Sequence, residues 1–101
     1  MKIRHTVIFT FYDSTTDEQK REVAARLNGM GRWLTENLGV TGWTVAEHIP
    51  VTFREGRAHL LQDGIFPRLE ALKQHALSDS HKRVIELTPK VCVDDRRHNC
   101  A

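Results

Sequence analysis

Three histidines, His5, His75 and His81, are the residues best suited to chemistry in this chain. Imidazole has the unperturbed pKa nearest neutrality, so it can both take up and release a proton in ordinary conditions. His5 interrupts an apolar strand face: Ile3, His5, Val7, Phe9 and Phe11 alternate with Arg4, Thr6, Ile8, Thr10 and Tyr12. Burying an imidazole costs free energy unless it finds a partner, so position 5 holds either a satisfied core histidine or a working one. His81 follows the capping run Ser78-Asp79-Ser80 and falls at the start of a restarted helix. A helix N-terminus disfavours the imidazolium, which keeps such a ring neutral and able to accept a proton. A solvated first-turn histidine is the alternative. His75 stands six residues before His81. On an unbroken helix the two would point ~120° apart, so they converge only if the chain breaks at Ser78–Ser80.

Asp63 is a fourth candidate. It shares one face of a strand with His59, Leu61 and Ile65. If that face points inward, a carboxylate there needs a partner; pairing with His5 would satisfy both groups and favour the imidazolium. The opposite face, Ala58, Leu60, Gln62, Gly64 and Phe66, is no more polar, which leaves the facing open. His5, His59, His75, His81 and Asp63 are all metal-ligand types, yet they form no short metal motif, and no metal is expected. Phe9, Leu27, Met30, Trp33 and Leu61 are candidate walls of an apolar pocket, with plain core as the other reading. Trp43 suits a face presented to a partner sheet.

The elements that must position these groups follow from pattern. A first strand spans about Ile3–Phe11. Capping boxes Thr15/Glu18 or Thr16/Gln19 open a helix whose stripe is Val23, Leu27, Met30, Leu34 and Leu38, stopped at Gly39. A second strand covers about Val40–Ile49, a loop Thr52–Gly56, and a third strand Arg57–Phe66. Pro67 suits the first turn of a second helix, broken at Ser78–Ser80 and ending near Thr88-Pro89. Lys90–Asp94 is the candidate fourth strand; residues from about 95 to 101 read as a mobile tail. The order β-α-β-β-α-β is the α+β, ferredoxin-like split arrangement, with helices on one sheet face and a partner needed on the other. Strands one and three would lie antiparallel, with His5 near Asp63.

Composition narrows the function classes. The 101 residues make one domain, with 40% hydrophobic residues and a net charge of +2 spread along the chain. That is no nucleic-acid footprint, no run approaches a membrane span, and Met1–Thr10 lacks a signal-peptide pattern. Cys92 and Cys100 lack a disulfide framework, so a reducing, cytoplasmic setting is expected. A domain this small has little core to give up to a pocket, which favours a homodimer.

Arg4-His5-Thr6-Val7, Glu55-Gly56-Arg57-Ala58-His59 and His75-Ala76-Leu77-Ser78-Asp79-Ser80-His81 together resemble the stress-responsive dimeric α/β-barrel (Dabb) family, over about Lys2 to Val93. The resemblance implies two ferredoxin-like sheets paired back to back into a dimeric α/β barrel, with a pocket between each sheet and its own helices. It further implies cofactor-free chemistry of the kind run by a polyketide cyclase of the family; some plant hydroxynitrile lyases share the fold. By that resemblance His5 matches a strand-one histidine and His81 the catalytic histidine of the second helix. His75 stands where the cyclase has a tyrosine, and His59 matches a pocket histidine. Ser78-Asp79 replaces the usual His-Pro, and Asp63 replaces an apolar residue. The implied function is a lyase or cyclase acting on a small aromatic or polyketide-like carbonyl compound. His81 would remove a proton α to the carbonyl, His5 and His75 would hold the oxygen and shuttle the proton, and Asp63 would orient His5. A non-catalytic, stress-responsive ligand-binding dimer and a cofactor-independent monooxygenase are the alternatives.

Overall fold

The computed structural model describes residues 1–48 and 59–100, the side chains of residues 48, 59 and 94–98 excepted. Apolar alternation makes Ile3–Phe11 the strand β1, buried at every odd position. The helix α1, Asp17–Leu38, opens on the second of the two expected capping boxes. Thr16 Oγ1 accepts from Gln19 N–H, and the Gln19 side chain accepts from Thr16 N–H. Gly39 ends it in the left-handed region at φ 69°, a conformation glycine adopts without a Cβ clash. The strand β2, Thr41–His48, and β3, His59–Phe66, follow. The expected loop at Thr52–Gly56, and Arg57 and Ala58 at the expected start of the third strand, lie outside the described residues.

The second helical stretch is split as the capping run implied, into α2, Leu69–Leu77, and α3, Asp79–Val91. Two boundaries differ from expectation. Helix α2 begins at Leu69 rather than at Pro67. Helix α3 continues through Pro89 to Val91, because Val84, Thr88 and Val91 anchor it in the core against the cost of an interior proline. The last strand, β4, is Cys92–Cys100, so the expected mobile tail is ordered strand as far as Cys100. Pairing with β1 along its length supplies what its polar composition does not announce.

The sheet has the order β2-β3-β1-β4, with β1 antiparallel to both neighbours. This is the ferredoxin-like α+β arrangement. The core lies between sheet and helices, with Val7, Phe9 and Phe11 from β1, Val23, Leu27, Met30 and Leu34 from α1, and Leu60 and Phe66 from β3. Among the described residues no helix is long and apolar enough to cross a membrane.

Trp43 overturns one expectation. It faces the helices instead of an outer surface, wedged against Gly31 of α1 and Gly64 of β3; a Cβ on Gly64 would stand 2.7 Å from the ring's Cε3. Both glycines exist to let a rigid indole approach backbone. Gly31→Ala places a methyl inside the Trp43 ring and is expected to destabilise the fold by about 1–3 kcal/mol. Chemical denaturation checks this: a midpoint equal to that of the parent would contradict the wedge.

Candidate active site

Ser78 is the centre of the local construction. Its backbone is extended at φ −75° and ψ 153°, so α2 stops there and α3 starts in a new direction. Its hydroxyl donates to the His75 carbonyl oxygen at 2.8 Å and accepts from the His81 backbone N–H at 3.2 Å. With that single O–H spent on His75, the 3.1 Å contact to Ser80 Oγ has Ser80 donating. One side chain thus fixes the backbone of both helical histidines, and the rings converge.

The cluster is a row. The His75 and His81 ring centroids are 4.7 Å apart at 74°, and those of His5 and His75 are 5.9 Å apart at 69°. Phe66 backs the row with its centroid 5.8 Å from His5 and 5.4 Å from His75. His5 and His75 are 6% and 3% exposed, while His81 is half-buried. At these separations a charge on one ring would oppose a charge on its neighbour.

The row borders a cavity of about 200 Å³ between sheet and helices, also lined by Asn99 and Gln62 and walled by Phe9, Leu27, Met30, Leu72, Val84 and Ile85. Its described polar groups, imidazoles and amides with the Thr88 hydroxyl, gather against apolar walls. Of the expected residues, His5, His75, His81, Phe9, Leu27 and Met30 line this cavity. Trp33 does not; it lies in a separate surface groove with Arg26 and Arg83 on the far side of Met30. Leu61 does not line it either, because the buried residues of β3 are Leu60, Gln62, Gly64 and Phe66, which turns Leu61 to the sheet's outer face. The side chain of His59 lies outside the described residues.

Asp63 needs the fullest correction. It pairs in register with Thr6, while His5 stands opposite Gly64. Neighbouring strand residues point to opposite faces, so Asp63 is on the outer face and cannot orient His5. Its carboxylate instead takes Arg4 Nη2 at 2.7 Å, Arg4 Nε at 3.1 Å and Thr6 Oγ1 at 2.8 Å. The Arg4 hydrogen bonds lower its pKa from the ordinary carboxylate value, with the Thr6 bond adding to that against partial burial.

Two residues were missed. Gln62, 1% exposed, sits on β3 beside Val7 with its Nε2 3.5 Å from the His5 carbonyl oxygen, long for a hydrogen bond. Asn99 of β4 stands opposite His5 in register and its Oδ1 bonds His5 Nδ1. The parity of β3 would have found Gln62 had its facing been known. Nothing in the sequence of β4 points to Asn99.

No protein-family model matches the chain, and no curated protein matches it. Solved structures do. A dimeric ferredoxin-like protein of unknown function from Thermobifida fusca superposes with a TM-score of 0.80 at 15% identity, over 100% of this chain and 91% of its own. A Dabb family protein with a ferredoxin-like fold from Mesorhizobium loti gives 0.72 at 16%, over 99% and 95%. A hydroxynitrile lyase from Passiflora edulis gives 0.74 at 13%, over 98% and 91%. These likenesses establish the ferredoxin-like fold.

Removing the Ser78 hydroxyl in Ser78→Ala takes away the α3 cap and is expected to cost about 1 kcal/mol of stability. Thermal melting measures it, and an unchanged melting temperature would refute the cap's role. For Asp63 the sign follows from its lowered folded-state pKa. Its stabilising contribution is present above the unfolded-state carboxylate value and is lost as pH falls through the lowered folded value. Asp63→Asn should therefore be less stable than the parent near neutrality, with the gap closing in acid. A gap independent of pH would contradict the ion-paired carboxylate.

Proposed function

We propose that this protein is a cofactor-free lyase or cyclase whose histidine row performs acid–base chemistry on a compact carbonyl compound. The observation that carries the reading is the convergence of His5, His75 and His81 on one largely apolar cavity. In the cyclising direction His81 takes the proton α to a carbonyl and the resulting enolate attacks a second carbonyl carbon. The alkoxide that forms then takes a proton from the row. In the lyase direction the base takes a hydroxyl proton, the carbon–carbon bond breaks, and the carbon leaving group receives the proton. Either way no net proton is consumed, and adjacent rings suit a role in which one gives while another receives.

Cavity size bears on the substrate. A dry cavity of roughly 150 Å³ holds benzene, so about 200 Å³ matches one ring with a small carbonyl-bearing substituent. That favours a single-ring aromatic compound over an extended polyketide chain. The resemblance to a polyketide cyclase is on this reading one of acid–base strategy, with His75 in place of tyrosine adding a group that can carry charge.

The dimer belongs to the same proposal. Helices cover one sheet face; the other presents Ile8, Leu61 and Ile65 around the Arg4–Asp63 pair, a surface suited to a second copy. The solved structure from Thermobifida fusca is described as dimeric.

The test is α-proton exchange in deuterated water, followed by NMR, on single-ring ketones beginning with acetophenone. The parent should accelerate deuterium uptake, and His81→Ala should lower that acceleration by at least about 100-fold. Saturable ketone binding with exchange no faster than in buffer would reject catalysis in favour of a ligand-binding dimer.

A further inference from the structure

We propose that Asn99 is a positioning residue that sets which nitrogen of His5 carries the proton, and that the terminal strand β4 is thereby part of the site. The inference rests on the histidine chemistry above for its catalytic meaning, while its structural content stands by itself. An amide oxygen can only accept, so the bond between His5 Nδ1 and Asn99 Oδ1 has Nδ1–H as donor. A neutral imidazole carries one proton, and with Nδ1 protonated Nε2 is the ring's acceptor. The bond to Asn99 therefore selects the Nδ1–H tautomer of neutral His5, in which Nε2 is the basic nitrogen.

The type of partner matters as much as its presence. A carboxylate at this position would stabilise the imidazolium and keep the ring charged; an amide fixes the tautomer with far less bias toward the cation. Asn99 thus does the orienting expected of Asp63, without the charge. Among the described residues, the groups facing His5 are His75 on α2, with His81 on α3 beyond it, Phe66 and Gln62 on β3, and Asn99 on β4. The titratable ones are the two histidines. Position 99 is exposed near the end of β4, so replacing it leaves the core untouched.

The test reads the ring directly. In two-bond proton–nitrogen spectra of uniformly labelled protein, neutral His5 should show a protonated Nδ1 and a bare Nε2. Asn99→Leu should shift population toward the Nε2–H form and lower kcat for ketone exchange with KM unchanged. Asn99→Asp should keep the Nδ1–H form but raise the His5 titration midpoint by at least about one pH unit, moving the exchange profile with it. An Nε2–H tautomer in the parent, or a tautomer unmoved in Asn99→Leu, overturns the assignment. Because the tautomer is read without turnover, failure of ketone exchange alone would count against the proposed reaction and not against the role of Asn99.

Discussion

The extended backbone and hydroxyl of Ser78 are what bring His75 and His81 together. A continuous helix from Leu69 to Val91 would carry His75 and His81 on different faces. The sole convergent solution is an extended residue between them that ends one helix and begins another. Such a residue interrupts the helical hydrogen bonding on both sides: the His75 carbonyl has the Ser78 N–H as its backbone partner, and the His81 N–H lies in the first turn of the new helix. A side chain with one donor and two acceptor sites is the smallest that can satisfy both, and Ser78 spends its donor on the first and an acceptor on the second. The histidines are thus held by their own backbone through a shared partner.

The second constraint is the parity of β3. Because strand residues alternate, a shift of one position exchanges the carboxylate of Asp63 for the amide of Gln62 on the cavity side. Burying Gln62 and leaving Asp63 beside Arg4 keeps a formal charge out of the core and gives it a partner on the outer face. The Trp43 wedge reinforces the choice: its ring occupies the space above Gly64, where a side chain would collide.

Legibility in the sequence followed the physics of each element. The strand β1 and helix α1 could be read closely, because period-two and period-3.6 apolar patterns and a capping box are local signals. The break at Ser78 was equally local. What could not be read depended on distant chain. The facing of β3 rests on which side Trp43 and the helices take, and both faces are comparably apolar. Strand β4 carries almost no apolar alternation; its order comes from hydrogen bonding to β1. Asn99 was invisible for the same reason, since only the register of two strands some ninety residues apart brings it to His5. The continuation of α3 past Pro89 is a further case of tertiary burial overriding a local breaker.

These choices have one electrostatic direction. An imidazole next to a carboxylate is drawn toward the imidazolium, and a row of three would then hold a proton too firmly to pass it on. With the amide of Asn99 bonded to His5 Nδ1, that of Gln62 near the His5 carbonyl oxygen, and the carboxylate of Asp63 turned outward to Arg4, the described cavity lining carries amides and no carboxylate. Contact between the rings acts the same way, since charge on any one opposes charge on the next. The apolar walls around the row lower the local dielectric, so each hydrogen bond there is strong when made and costly when missing. Strand parity and the amide of Asn99 thus act together, keeping a fixed negative charge off the described cavity side.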